Sequence, residues 1–192
     1  WLNAGSRITH SQGFGVGNRK IELIGEGYFE VKRNEEVPFL VKTNSLLVKV
    51  LGTKFNFRDY PDDAEAIVSL SEGKVALNNL LKKEKEAFLL PNERVALNKK
   101  NGRMHVEYST VSNALQWTNG YLFFDEELLP DVVKELERSY NVKIQIASDT
   151  LNTFRFYGNF VHREQNIQEV LEALSATRKI HYIIEGHNIT LY

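Results

Sequence analysis

The side chains in this sequence that could hold a metal ion are five histidines and one group of acidic residues. The histidines are His10, His105, His162, His181 and His187. No two of them have the i, i+4 spacing that places two imidazoles on one face of a helix, and no His-Glu-x-x-His motif occurs. His181 and His187 flank a predicted hairpin turn and could face each other, but a third and a fourth ligand are not evident. We therefore expect surface histidines rather than a zinc site.

The acidic residues cluster around a proline turn. They are Asp59, Asp62, Asp63 and Glu65. Carboxylates are ligands that Ca²⁺ prefers, but the twelve-residue ligand spacing of a calcium loop is missing. A plain acidic turn is the favoured interpretation, and a calcium site is the alternative.

No pattern predicts a catalytic nucleophile. The chain has no cysteine and no Gly-x-Ser-x-Gly motif, and nothing in the sequence places two carboxylates in one cleft. The glycine-rich segment 13–17 would have to open a helix to bind phosphate, whereas residues 18–20 lead directly into a predicted strand. We expect a binding or signalling protein that is not an enzyme and that uses no cofactor and no metal.

Composition excludes two further classes of partner. The net charge of −1 over 192 residues argues against a broad electrostatic footprint for nucleic acid or anionic lipid. No apolar run approaches the ~20 residues that a membrane-spanning helix needs. The single methionine is Met104 and the sequence opens at Trp1, so we expect an excised part of a longer protein. A chain of this length predicts one or two domains.

The predicted secondary structure changes near residue 110, from strands alone to strands with helices. In residues 1–108, short alternating segments separated by turns predict strands, for example at 21–31, and Asn101-Gly102 is a strong hairpin signal. We expect a β-rich N-terminal domain, which could be an all-β sandwich, a roll or a helix-like stack.

Residues 109–192 predict a small α+β domain. One apolar helix stripe begins near Leu129 and ends before Asn141, and a second follows a capping box formed by Asn166 and Glu169. Predicted strands flank both helices, so the order is βαβ followed by βαββ. We expect two helices packed on one side of a small sheet.

Two strands of this domain are candidate contact surfaces. If the phenylalanines of the strand around residues 154–160 face the core, then Arg155, Tyr157, Asn159 and Val161 face outward. The terminal strand at residues 188–192 is the second candidate, with Ile189 and Leu191. Exposed edge strands recruit strands from partners. The alternative is that the aromatic residues of this region fill the core or pack between the two domains.

Several motifs, in order, resemble a known family. They are Leu2-Asn-Ala-Gly-Ser6, Gly25-Glu-Gly-Tyr-Phe-Glu-Val31, Pro38-Phe-Leu-Val41, Val50-Leu-Gly-Thr-Lys-Phe-Asn-Phe57 and Leu70-Ser-Glu-Gly-Lys-Val75. They resemble the periplasmic region of FecR-type anti-sigma factors, although Gly27 stands where alanine is usual. Trp117 with Gly120, Leu136-Glu-Arg-Ser-Tyr140, and Val170-Leu171 with Leu174 resemble the C-terminal domain of the Bacteroidetes members, which is similar to the short N-terminal domain of secretins and TonB-dependent transporters.

The resemblance implies a signalling mechanism. An inner-membrane protein would hold a sigma factor through a cytoplasmic segment, and this periplasmic part would contact the N-terminal signalling domain of an outer-membrane TonB-dependent transporter. That contact would release the extracytoplasmic-function sigma factor. The competing hypothesis is a carbohydrate-binding β module with a structural C-terminal domain, in which Trp1, Tyr28 and Trp117 stack on sugars.

Overall fold

The structure, a computed structural model, describes residues 1–108 and 111–192. It divides into two compact units, Trp1–Thr118 and Asn119–Tyr192. The sequence-based boundary falls between residues 108 and 109, and positions 109 and 110 lie outside the described residues. The residues that follow them, up to Thr118, belong to the first unit. Each unit has its own apolar core.

The first unit is built from short strands, which confirms the β-rich prediction. In its described residues the strands are β1 (Arg7–His10), β2 (Arg19–Glu30), β3 (Phe39–Lys42), β4 (Leu46–Val50), β5 (Lys54–Asp59), β6 (Glu65–Glu72), β7 (Val75–Asn79), β8 (Ala87–Leu89), β9 (Glu93–Asn98) and β10 (Met104–Tyr108). They form one sheet in the order β10-β9-β6-β5-β2-β3-β4-β7-β8, and β1 pairs with β2. Helix α1 (Val111–Ala114) and a 3₁₀ turn (Gln116–Asn119) follow.

Strand β2 joins the two halves of this sheet. Its residues 19–22 pair in parallel with β3, whereas its residues 25–30 pair antiparallel with β5. Side chains alternate between the two faces of a strand, and Ile21 and Leu23 point into the core that both halves share. The opposite face of β2 therefore carries Glu26, which is only 4% exposed.

A buried polar group, which we call the Glu26 cluster (Asn3, Glu26, Asn56 and Arg58), covers this second face. The Asn56 amide donates to one carboxylate oxygen of Glu26 at 2.7 Å, and the Asn3 amide donates to the other at 2.8 Å. Arg58 Nη1 lies 3.5 Å from Glu26. The indole N–H of Trp117 donates to Asn56 Oδ1 at 3.3 Å. One carboxylate thus holds the segment before β1 and, through Asn56, the turn after α1.

A glycine permits this close approach. Gly25 has a φ of +100°, and a Cβ at this position would lie 2.4 Å from the hydroxyl oxygen of Ser6. That hydroxyl accepts a hydrogen bond from the backbone N–H of Glu26 at 2.8 Å. Any larger residue would both strain the backbone and displace Ser6.

The second unit has the predicted order of elements. They are β11 (Tyr121–Leu128), α2 (Leu129–Tyr140), β12 (Lys143–Ile146), a 3₁₀ turn (Asp149–Thr153), β13 (Arg155–Val161), α3 (Ile167–Ser175), β14 (Tyr182–Glu185) and β15 (Asn188–Leu191). Both helix stripes are buried, and their fully covered members include Leu129, Leu136 and Leu171. Helix α2 ends at Tyr140, before Asn141 as predicted, and Asn141 has a left-handed φ of 53°.

The five strands of this unit form two sheets rather than the one small sheet that we expected. One sheet pairs β11 with β13, and the other has the order β12-β15-β14. Helix α2 contacts β11 and β13 of the first sheet and also β12 of the second. The helix therefore packs on both sheets, because each βαβ segment sends its two strands to different sheets.

The capping box of α3 is present as predicted. The Asn166 side chain accepts from the backbone N–H of Glu169 at 3.1 Å, and the Glu169 carboxylate accepts from the backbone N–H of Asn166 at 2.7 Å. Two N–H groups that the first turn leaves unpaired are satisfied in this way.

Replacing Gly25 with alanine should lower the free energy of unfolding of the first unit by about 1–3 kcal/mol, because a positive φ and a clash act together. Gly13→Ala is the matched control: its φ of +85° is similar, but a Cβ there has no neighbour within 4 Å. Both tryptophans, Trp1 and Trp117, lie in the first unit, so urea unfolding followed by tryptophan fluorescence reports on it. Equal losses for the two variants would contradict the proposed role of the clash.

Glu26→Ala should destabilise the first unit by about 2–4 kcal/mol, since it removes the acceptor of the Asn56 and Asn3 amides. Arg58 keeps its contact with Asp63. Glu26→Gln should cost less, because its amide oxygen still accepts one hydrogen bond. Glu22→Ala is the control, because Glu22 lies on the same strand and face but is exposed. The same urea experiment measures all three variants, and a Glu26→Ala loss no larger than that of Glu22→Ala would refute the structural importance of the cluster.

Asn166→Ala should cost about 1 kcal/mol of stability in the second unit, because it removes the N-cap. Gln168→Ala, at an exposed position inside α3, should change stability by a few tenths of a kcal/mol at most. Amide hydrogen exchange of residues 167–175 measures both effects. Similar protection in the two variants would show that the cap contributes little.

Candidate protein-interaction surface

The outward residues of β13, which we call the β13 surface, are Arg155, Tyr157, Asn159 and Val161. Arg155 and Asn159 are exposed, Val161 is half-buried, and the Tyr157 side chain is 59% exposed. The alternate residues, including Phe156 and Phe160, are buried in the core of the second unit. The predicted orientation of this strand is therefore confirmed, while its use by a partner stays a prediction.

The backbone of the β13 surface points toward an open edge. His162 donates to the Gly120 carbonyl at 2.9 Å, and pairs in an antiparallel ladder alternate between hydrogen-bonded and non-hydrogen-bonded. The register between β11 and β13 then directs the N–H and C=O groups of Arg155, Tyr157 and Asn159 away from β11. No strand among residues 1–108 and 111–192 pairs with that edge.

A bulge in β11 shapes one end of this surface. The pairing shifts between Phe124 and Glu127, and Glu126 has a φ of 55°. The Glu126 carboxylate raises the pKa of the Tyr157 hydroxyl, first by accepting a hydrogen bond from it and also through its negative charge. The Glu126 carbonyl accepts a hydrogen bond from the Arg155 guanidinium. Two outward side chains of β13 are thus held in place by one bulge residue.

Phe123 extends the same face. The sequence predicts that one of the adjacent Phe123 and Phe124 points away from the helices, and Phe124 is buried whereas Phe123 is 36% exposed. Phe123 lies directly opposite Asn159. An aromatic ring of β11 therefore sits beside the β13 surface.

The second predicted contact strand is wrong. Ile189 and Leu191 are 2% and 0% exposed and belong to the core, so their side chains do not face a partner. Strand β15 is also not an edge, because it lies between β12 and β14. The error arises because β15 pairs in parallel with β12, a distant strand that the hairpin signal at residues 185–187 does not reveal.

The open edge that the sequence reasoning missed is β14. It pairs with β15 on one side only within the described chain. Its residues Ile183 and Ile184 are 50% and 40% exposed. The signal available in the sequence was the run Tyr182-Ile-Ile-Glu185, whose two adjacent isoleucines cannot both enter one core.

The acidic turn is held by cations. Lys99 Nζ lies 2.6 Å from Asp59, and Arg58 Nε donates to Asp63 at 2.8 Å. Among the described residues, no group of three or more His, Cys, Asp or Glu side chains has a geometry that could hold a metal ion. These contacts favour the interpretation as an acidic turn.

The three aromatic residues of the sugar-binding hypothesis, Trp1, Tyr28 and Trp117, are not free side chains in a common surface groove. Tyr28 is 9% exposed, and the Trp1 ring packs on it with the ring centroids 5.4 Å apart. Trp117 is half-buried and hydrogen-bonded to Asn56. Tyr28 is therefore closed to stacking on a sugar.

Within the described ranges, no helix has both the length and the apolar character that crossing a membrane would require.

Comparisons with known proteins agree with the motifs. The model of the FecR protein family matches residues 1–76, and the model of the FecR C-terminal domain matches residues 121–191. None of the curated proteins matches significantly.

Solved structures give a match along the whole chain. Two crystal structures described as a candidate anti-sigma factor from Parabacteroides distasonis ATCC 8503 are each 32% identical to this chain and cover 100% of it. The matches span 88% and 87% of those chains, with TM-scores of 0.88 and 0.87. FecR family models match both units, and a relative that is 32% identical aligns with the whole chain. The chain therefore belongs to the FecR family of anti-sigma factors.

Proposed function

We propose that this chain is the periplasmic sensor part of a transmembrane anti-sigma regulator. It receives a signal from an outer-membrane TonB-dependent transporter by protein–protein contact and thereby controls release of an extracytoplasmic-function sigma factor. Membership of the FecR family supports a regulatory role in a sigma-factor context. Members of this family are typically membrane-anchored and have a periplasmic region.

The observation that supports contact signalling is the open edge of β13. An unpaired strand offers a row of N–H and C=O groups that a partner strand can bind without any pocket. Tyr157 adds an exposed aromatic side chain, and aromatic residues are enriched among the side chains that dominate binding energy. The β13 surface is therefore the proposed docking site for the N-terminal signalling domain of the transporter.

The charge on this surface is mixed. Arg155 is positive, and Asp125 and Glu126 of the neighbouring strand are negative and exposed. Mixed charge at the rim of an interface acts mainly on specificity and on the association rate. The apolar contribution comes from Tyr157, Phe123 and the half-buried Val161.

Tyr157→Asp should weaken binding of the transporter's N-terminal domain at least about tenfold, because loss of a tyrosine at a binding hot spot costs about 2 kcal/mol or more. Adding Val161→Asp should abolish binding. Phe88→Asp is the matched control, since Phe88 is an aromatic residue of similar exposure, 51%, on the edge strand β8 of the first unit. Isothermal titration calorimetry measures the affinities, and circular dichroism checks that each variant is folded.

Two failures of this experiment have different meanings. If the unaltered chain does not bind the transporter domain, the proposed partner is wrong. If it binds and Tyr157→Asp binds equally well, the partner stands and the β13 surface is excluded as the docking site.

A further inference from the structure

Strand β14 is an open edge. Proteins block exposed edges by keeping them short, with charged residues and lysine above all, with proline, with bulges or by covering them. The four residues of β14, Tyr182-Ile-Ile-Glu185, include one charge but neither proline nor lysine, and their pairing with β15 has no bulge. Ile183 and Ile184 are exposed there. This edge can therefore accept another strand.

The backbone groups that face the open edge can be identified. His181 and Tyr192 exchange two hydrogen bonds, N–H to C=O in both directions, at 2.9 and 3.0 Å. Hydrogen-bonded and non-hydrogen-bonded pairs alternate, so the register makes Ile183 a hydrogen-bonded partner of Thr190. The N–H and C=O groups of Tyr182 and Ile184 then point away from β15.

We propose that β14 pairs antiparallel with β14 of a second copy of this chain, about a two-fold axis through Ile183. In this register Tyr182 lies opposite the partner's Ile184, and the two residues exchange both hydrogen bonds. Symmetry repeats the exchange on the other side of the axis. All the edge-facing groups of Tyr182 and Ile184 are then satisfied.

The side chains fit the same register. At the axis, Ile183 meets the partner's Ile183 in a non-hydrogen-bonded pair, where side chains approach most closely. Two residues further out, on the same face, His181 lies opposite the partner's Glu185. Both residues are exposed, and both share the outer face with Ile183. A hydrogen-bond donor thus faces a carboxylate on each side of the axis, and this complementarity selects a second copy as the partner.

The dimer should be weak. The contact involves about five residues from each copy, well below the ~1,200 Å² that stable interfaces bury. The inference does not depend on the proposed function, because it uses only the geometry of the second unit.

Sedimentation equilibrium of the 192-residue chain at concentrations up to about 1 mM tests the pairing, since this range detects millimolar dissociation constants. We expect a monomer–dimer equilibrium. His181→Glu places two carboxylates opposite each other on both sides of the axis, and Glu185→Lys removes the carboxylate on both sides. Each variant should raise the dissociation constant by about two- to thirtyfold, because a cross-strand pair is lost twice.

The double variant His181→Glu with Glu185→Lys places a carboxylate opposite an ammonium group on both sides of the axis and should restore the original dissociation constant. Tyr108→Glu, at an 85% exposed aromatic position on the edge strand β10, should leave it unchanged. A chain that stays monomeric throughout the range overturns the proposal. The proposal is also overturned if the single variants do not weaken the dimer, or if the double variant does not restore it. It is overturned as well if the β14 variants change only the binding of the transporter domain.

Discussion

The buried carboxylate of Glu26 is the constraint on which the first unit depends. A charged group in this position is costly to bury unless its oxygens are fully hydrogen-bonded. Asn3, Asn56 and Arg58 provide those contacts, and they come from two separate parts of the chain, the segment before β1 and strand β5. Because Asn56 also binds the indole of Trp117, the segments that enter and leave the strand-rich core are fixed to the same face of β2. The apolar core alone would not determine where these segments lie.

The two units differ in how many of their strands leave backbone N–H and C=O groups open at a sheet edge. In the first unit, the segment before β1 lies against β2: Trp1 and Tyr28 exchange hydrogen bonds, and Asn3 donates to the Glu26 carbonyl. In the second unit the strands are few and are divided between two sheets, so a larger share of them are edges. Surface available for strand pairing is therefore concentrated in the unit that has the fewest strands.

The sequence predicts local structure well where one short-range cause is sufficient. The left-handed turn at Asn141 and the capping box of Asn166 follow from residue type within a few positions. The outward direction of Tyr157 follows from alternation along one strand. The burial of Ile189 and Leu191 could not be predicted in the same way, since it depends on the pairing of β15 with β12, about 45 residues away along the chain. The Glu26 cluster was missed for the same reason, because its members are close only after folding.

The division into two sheets has a consequence for contacts with other molecules. Strand β13 belongs to one sheet of the second unit and β14 to the other, and α2 contacts strands of both sheets. Each edge also has its own chemistry: β13 presents Tyr157 beside mixed charges, whereas β14 presents isoleucine between a histidine and a glutamate. Among the edge strands of this small unit, β13 and β14 are therefore separable strand-pairing sites, and a substitution on one strand tests its own site without removing the backbone groups of the other.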